Sequence, residues 1–137
     1  MTRRNLVLKS LLLALIFTLP LMSSAIAQDV IGDQWCSDLH IRYFVGGAEG
    51  DAFASIVLRG AQAAEADLGP TVDYIFSGWD GERMTQQLRE AVAAQPDGIA
   101  MMGHPGDDAI MALAEEASEA GILMMYQNVD VPLVRAA

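Results

Sequence analysis

The chain has 137 residues, of which 53% are hydrophobic, and a formal net charge of −10. This length suits one compact domain. The charge argues against nucleic-acid binding, because that function requires clustered Lys and Arg side chains to displace counterions. A lone thiol stays free, pairs with another chain or has lost its partner, and we assign no role to the single cysteine, Cys36. Together with two histidines it gives no visible metal-ligand spacing.

Residues 1–27 have the pattern of a secretory signal peptide. A positively charged start and an apolar run over 11–21 precede the small-x-small sequence of 25–27, after which signal peptidase cleaves. The alternative is a retained membrane anchor, but Pro20 shortens the run below the roughly 20 apolar residues of a spanning helix. We therefore expect export to the periplasm with cleavage after Ala27.

From residue 40 onward the chain alternates between strand-like and helix-like periods. The pair 69–70 (Gly-Pro) stops the first helix, Asp107 or Asp108 can cap the third, and Gly121 is placed as its C-cap. The predicted strands are 40–45, 72–76, 99–102 and 122–126, and the predicted helices are 53–68, 82–94 and 109–120.

Four strands separated by three helices predict an α/β fold, a parallel-sheet Rossmann-like lobe with right-handed crossovers. The apolar strand 99–102 suits a sheet that is covered on both faces. We expect the following methionines to serve as core packing rather than in metal or redox chemistry: Met101, Met102, Met111, Met124 and Met125. The chain stops just after the fourth strand, so we expect an incomplete lobe, the front part of a longer protein.

Ligands of open parallel sheets bind beyond the carboxyl ends of the strands. At those ends the sequence places Asp51, Asn128 and Asp130, whose oxygens and amide can bond hydroxyl groups. Phe53 and Trp79 offer flat apolar faces there, and Trp79 either contacts the ligand or lines the cleft. Because sugar rings have polar edges and apolar faces, this set predicts a sugar site.

Several of these residues also have purely structural interpretations. Asp51 precedes a helix and is equally well explained as its N-cap, and Phe53 as a hydrophobic staple. Asp80 and Asp107 suit turn and cap positions. For His104, beside a proline at a strand end, a loop role is favoured over catalysis.

Motifs of known catalytic and cofactor sites are missing from the sequence. The glycine loop of 46–50 fails the Gly-x-Gly-x-x-Gly spacing, and Glu49 with Asp51 would repel a pyrophosphate. A Walker loop, a nucleophile elbow and a serine–histidine–acid set are likewise not found. We therefore expect no enzyme activity, no cofactor and no metal.

The order of these pieces resembles the type I periplasmic binding proteins of the ribose/galactose kind, the substrate-binding components of ATP-driven sugar importers. The likeness covers nearly all of the chain after the signal peptide. It is carried by 51–53 (Asp-Ala-Phe) with 60–64, by 68–69, by 96–99 with 103–109, and by 120–122 running to 128–130 (Asn-Val-Asp).

The resemblance implies a ligand-stacking role for Phe53, a hydroxyl-bonding role for Asp51 and a polar contact from Asn128. Val129 stands where the family often has arginine, and Ala54 replaces a second aromatic of some members. These departures leave open which sugar is bound.

The resemblance also implies two hinged lobes, a membrane permease of an ABC importer as partner, and a monomer. On this basis the chain comprises a signal peptide (1–27), an N-terminal extension (28–38) and a partial sugar-binding lobe (39–137). One lobe supplies half of a cleft, so we expect this chain alone to bind a sugar weakly or not at all.

Three alternatives use related architectures. Sugar-responsive repressors of the lactose-repressor type share the lobe, but they begin with a helix-turn-helix and lack a leader. A periplasmic receptor for a signal molecule, such as a furanosyl quorum signal, has the same fold. An exported α/β enzyme is the third alternative.

Overall fold

The computed structural model of the protein describes residues 34–136, and the predicted signal peptide lies outside this part. From Gln34 onward the chain forms one compact unit. Its elements are β1 (His40–Gly46), α1 (Ala52–Leu68), β2 (Thr71–Phe76), α2 (Gly81–Ala93), β3 (Gly98–Met102), α3 (Asp107–Glu119), β4 (Leu123–Gln127) and α4 (Pro132–Ala136).

The strands of the described part form one parallel four-stranded sheet in the order β2-β1-β3-β4. Tyr43 of β1 lies opposite Tyr74 of β2 on one side and Ala100 of β3 on the other. The predicted α/β fold with a parallel, Rossmann-like sheet is confirmed. The short helix α4 was not predicted, although proline at its first position suits a helix start.

The hydrophobic core lies between one face of the sheet and the helices α2 and α3. Phe44 and Met101 point from the sheet into this core, where they join Leu88 of α2 and Ile110 of α3, and all four are fully buried. Each such side chain stabilises the fold by about 1.5–3 kcal/mol relative to an exposed one. This packing orients the strands and hence the loops at their carboxyl ends.

The opposite face of the sheet is covered unevenly. Helix α1 packs on β1 and β2, whereas Leu123 and Met125 of β4 are 78% and 52% exposed. A groove of about 540 Å³ runs between α1 and this face. The prediction of a sheet covered on both faces is therefore wrong for β4. Met125 is accordingly not a core residue, while Met101 and Met102 are buried and Met111 and Met124 half-buried.

Glycine ends α3 as predicted, but Gly121 lies one residue beyond the C-cap rather than at it. Ala120 is the C-cap, and Gly121 follows it with a φ of 77°. The N–H of Gly121 donates to the carbonyl of Ser118, and that of Ile122 donates to the carbonyl of Ala117. These two bonds form a Schellman motif, for which glycine at the left-handed position is the preferred residue.

The start of α3 differs from the prediction. Its N-cap is Gly106, with no side-chain cap bond, and Asp107 and Asp108 lie inside the first helical turn. There their negative charges favour the helix through its dipole rather than by capping it. Asp80, in contrast, is the N-cap of α2, and its Oδ1 accepts from the N–H of Arg83 at 2.9 Å.

The residues before β1 pack against the end of α1. The N–H of Cys36 donates to the carbonyl of Leu68 at 3.0 Å, and Gln34 lies against Gly69. Cys36 is a free thiol. Among the helices of the described part, none has the length and apolar character needed to cross a membrane.

Candidate functional site

All four strands leave the sheet through a residue in the left-handed backbone region. These residues have φ between 60° and 97°: Gly46 at the end of β1, Gly78 and Trp79 after β2, Gly103 after β3 and Asn128 after β4. Asparagine tolerates this conformation well, but the large side chain of Trp79 disfavours it, so it persists there only where the surroundings enforce it. Such strain concentrates at functional sites, so it directs attention to the carboxyl edge.

The strand order places a crevice at this edge. After β1 the chain goes to β2 on one side and then crosses to β3 on the other side of β1. Connections that diverge from neighbouring strands leave a gap beyond their carboxyl ends, and open parallel sheets bind ligands there. Here the gap lies beyond β1 and β3.

The indole of Trp79 lies over this crevice. A Cβ atom on Gly46 would overlap the six-membered ring of Trp79, and one on Gly103 would lie 3.3 Å from its Cζ3 atom. Gly46 and Gly103, at the ends of the two strands that border the crevice, thus leave room for the indole. Trp79 remains 53% exposed. The sequence pattern placed both glycines at strand ends but did not indicate that they make room for an aromatic ring.

Backbone hydrogen bonds fix the turn that carries Trp79. The N–H of Trp79 donates to the carbonyl of Gly46 at 3.2 Å, and that of Gly78 donates to Gly47 at 3.1 Å. The register of β1 against β2 also shifts between Phe44 and Gly46, an irregularity of the bulge type. The exits of β1 and β2 therefore form one hydrogen-bonded unit.

Phe53 joins Trp79 to form an aromatic pair. Their ring centroids are 5.7 Å apart and the rings are tilted by 53°, a geometry typical of favourable aromatic contacts. Phe53 is 44% exposed. It occupies the second position of α1, which is neither position of a hydrophobic staple, so that interpretation is wrong.

Asp51 is the N-cap of α1. Its Oδ1 accepts from the N–H of Ala54 at 2.6 Å, and its Oδ2 accepts from the N–H of Ala48 at 2.9 Å. The capping interpretation is confirmed. Each carboxylate oxygen has a further lone pair, and a ligand contact from Asp51 stays a prediction.

Asn128 and Asp130 lie farther along the same edge. Both are exposed and follow β4, which is separated from β1 by β3. The N–H of Gly103 donates to the carbonyl of Gln127 at 3.4 Å, which ties the exits of β3 and β4 together. The structure thus brings Phe53 and Trp79 into contact beside Asp51, and places Asn128 and Asp130 two strands away from β1.

The charges at this edge are mainly negative. Helix N-termini carry partial positive charge and often bind anions. Here α1 and α2 are capped by the carboxylates of Asp51 and Asp80, and α3 has two aspartates in its first turn. A positive charge is also present, since the guanidinium of Arg83 lies 3.7 Å from the Cβ position of Gly78. The arrangement disfavours anionic ligands and suits groups that donate hydrogen bonds.

Across residues 34–136, no three His, Cys, Asp or Glu side chains are grouped so that they could hold a metal ion. No protein-family model matches the chain, and no curated protein matches it.

Proposed function

We propose that the protein is a substrate-binding protein that captures a sugar or sugar-like polyol at the carboxyl edge of its sheet. The observation that carries this proposal is the half-exposed aromatic pair of Phe53 and Trp79 over the crevice between β1 and β3. Exposing two large aromatic rings to water is unfavourable, and a ligand with an apolar face would cover them.

The polar groups beside the pair support a hydroxyl-bearing ligand. Asp51 borders the aromatic pair, and Asn128 and Asp130 belong to the same edge. Carboxylates accept hydrogen bonds from hydroxyl groups, and an amide both donates and accepts. Because acidic side chains already offset the helix dipoles, a neutral polyol is favoured over a phosphorylated one.

The finer proposal is a lobe of a type I periplasmic binding protein. It includes export by a signal peptide at residues 1–27, cleavage after Ala27, and delivery of the ligand to the permease of an ABC importer. We further propose a monomer without catalytic activity. Support comes from the leader-like sequence and from the strand and helix order. A receptor for a furanosyl signal molecule would use the same edge.

The proposal is tested by NMR titration of the purified protein with a panel of neutral monosaccharides. We expect binding in the millimolar range, because the exposed rings can contact a sugar from one side only. Phe53→Ala and Trp79→Ala should each weaken the affinity by about 1–3 kcal/mol through lost apolar contact. Trp35→Ala is the matched control, since Trp35 is 70% exposed and lies before β1.

Three results would contradict the proposal. The first is a panel in which no monosaccharide shifts the signals of the carboxyl edge, even at concentrations well above the millimolar range. The second is binding that survives Trp79→Ala and Phe53→Ala as well as it survives Trp35→Ala. The third is the appearance of new product signals during the titration, which would identify an enzyme.

A further inference from the structure

A hydrogen bond across the turn after β3 defines the protonation state of His104. The Nδ1 atom of His104 lies 3.1 Å from the backbone nitrogen of Gly106. That backbone N–H can only donate, so Nδ1 must accept and must carry no proton. The neutral ring therefore holds its proton on Nε2, and the bond exists only while the imidazole is neutral.

This bond restrains a helix start that has no other side-chain cap. Gly106 is the N-cap of α3, has φ and ψ of 114° and 152°, and makes no side-chain cap bond. An uncapped helix start leaves several backbone N–H groups without partners. The imidazole of His104 thus takes up one donor of the turn just before the helix.

The turn over residues 103–106 lies against Trp79 and the start of α2. A Cβ atom on Gly103 would lie 3.3 Å from Cζ3 of Trp79. At the other end of the turn, a Cβ atom on Gly81 would lie 3.5 Å from the carbonyl oxygen of Pro105. The turn therefore meets the indole at Gly103, and a shift of Gly103 alters that contact.

Protonation offers His104 a different partner. The Oδ1 atom of Asp107 lies 4.0 Å from the Nδ1 atom of His104. Once Nδ1 carries a proton, it can no longer accept from Gly106 and becomes a donor for this carboxylate. The charged groups on the elements around the turn are Asp107 and Asp108 of α3 and Asp80, Glu82 and Arg83 at the start of α2.

We infer that His104 is a pH-responsive positioning residue for Trp79. The neutral imidazole holds the turn of residues 103–106 and with it the indole over the crevice. The protonated imidazole bonds Asp107 instead, so the turn of residues 103–106 and the indole are no longer held in place. Because the two protonation states of the imidazole make different bonds, the geometry of the carboxyl edge depends on whether His104 is neutral or charged. This inference goes beyond the proposed function, because it concerns the edge whatever ligand is bound.

The test is an NMR titration of the purified protein between pH 8.5 and pH 5, without ligand. We expect the Nε2–H tautomer of His104 at high pH, and a shift of the Trp79 indole signal with the same midpoint as the His104 ring. Trp35→Phe assigns the indole signals. His104→Asn should abolish the Trp79 shift, because its Oδ1 can accept from Gly106 but cannot be protonated in this range.

His40 provides the matched control. It lies at the start of β1, and its Nε2 atom is 2.9 Å from Oδ2 of Asp73. His40→Asn should leave the Trp79 shift unchanged. The inference is overturned if the neutral ring of His104 carries its proton on Nδ1. This tautomer can be detected in the unsubstituted protein. It is also overturned if the Trp79 indole signal does not shift at the pH midpoint of the His104 ring. A Trp79 shift that persists in His104→Asn would overturn it as well.

Discussion

The missing side chain of Gly46 leaves space that the indole of Trp79 fills. Gly46 has a φ of 97°, and a Cβ atom there would overlap the indole. Gly50 has a similar φ of 85° but faces open space. Substituting alanine at Gly50 causes backbone strain alone, whereas at Gly46 it also disturbs the contact with Trp79. Comparing the two variants therefore separates these effects.

We expect Gly46→Ala to displace Trp79 and Gly50→Ala to leave it in place. Both changes should lower the free energy of unfolding by about 1–3 kcal/mol, because alanine is strained at positive φ. Only Gly46→Ala should also change the Trp79 fluorescence of the folded protein and weaken sugar binding. Identical emission spectra for the two variants would show that the indole does not rest on Gly46.

Between elements, a hydrogen bond of Tyr74 joins β2 to α1. Its hydroxyl donates to Oε2 of Glu65 at 2.8 Å, while Oε1 of Glu65 accepts from the N–H of Val72 at 3.3 Å. Burial raises the pKa of Tyr74, and the hydrogen bond and negative charge of Glu65 raise it further. The folded state therefore favours the protonated phenol.

The sign of the pH effect follows from this shift. The stabilising contribution of Tyr74 is complete below 10.0, its ordinary pKa, and declines as the pH rises toward the raised value. Tyr74→Phe should lower the free energy of unfolding at pH 7 by about 1 kcal/mol and reduce the loss of stability above pH 10. Urea denaturation at pH 7 and at several pH values above 10 measures both.

Tyr126→Phe, in β4, is the control for Tyr74→Phe. Burial also raises the pKa of Tyr126, but its hydroxyl lies 3.6 Å from the sulfur of Met124, a weak acceptor. We expect Tyr126→Phe to lower the free energy of unfolding at pH 7 by less than Tyr74→Phe does. Equal losses would mean that the bond to Glu65 adds nothing to the stability of the fold.

The elements themselves were predictable because each depends on local pattern. The apolar spacing of 82–94 and the all-apolar run 99–102 place α2 and β3 to within a residue or so. The start of α3 was misassigned, since aspartates suit both a cap and a first turn, and the choice depends on the backbone of Gly106. Sequence spacing also could not show that Trp79 lies on Gly46, a contact made across two separate strand exits.

At the scale of the whole molecule, the two faces of the sheet differ in how much they stabilise it. Met101 of β3 is fully buried against α2 and α3, whereas Met125 of β4 is 52% exposed on the opposite face. A buried methionine contributes through both burial and packing, and an exposed one contributes little. Met101 therefore contributes more to the stability of the described part than Met125 does.

This asymmetry predicts unequal costs for the same substitution in neighbouring strands. Met101→Ala should lower the free energy of unfolding by about 2–5 kcal/mol, because it leaves a cavity in the core. Met125→Ala should change it by no more than about 0.5 kcal/mol, as is usual at exposed positions. Urea denaturation of both variants gives the comparison. If Met125→Ala proved as costly as Met101→Ala, the open face of β4 would have to be packed in the protein as it exists in solution.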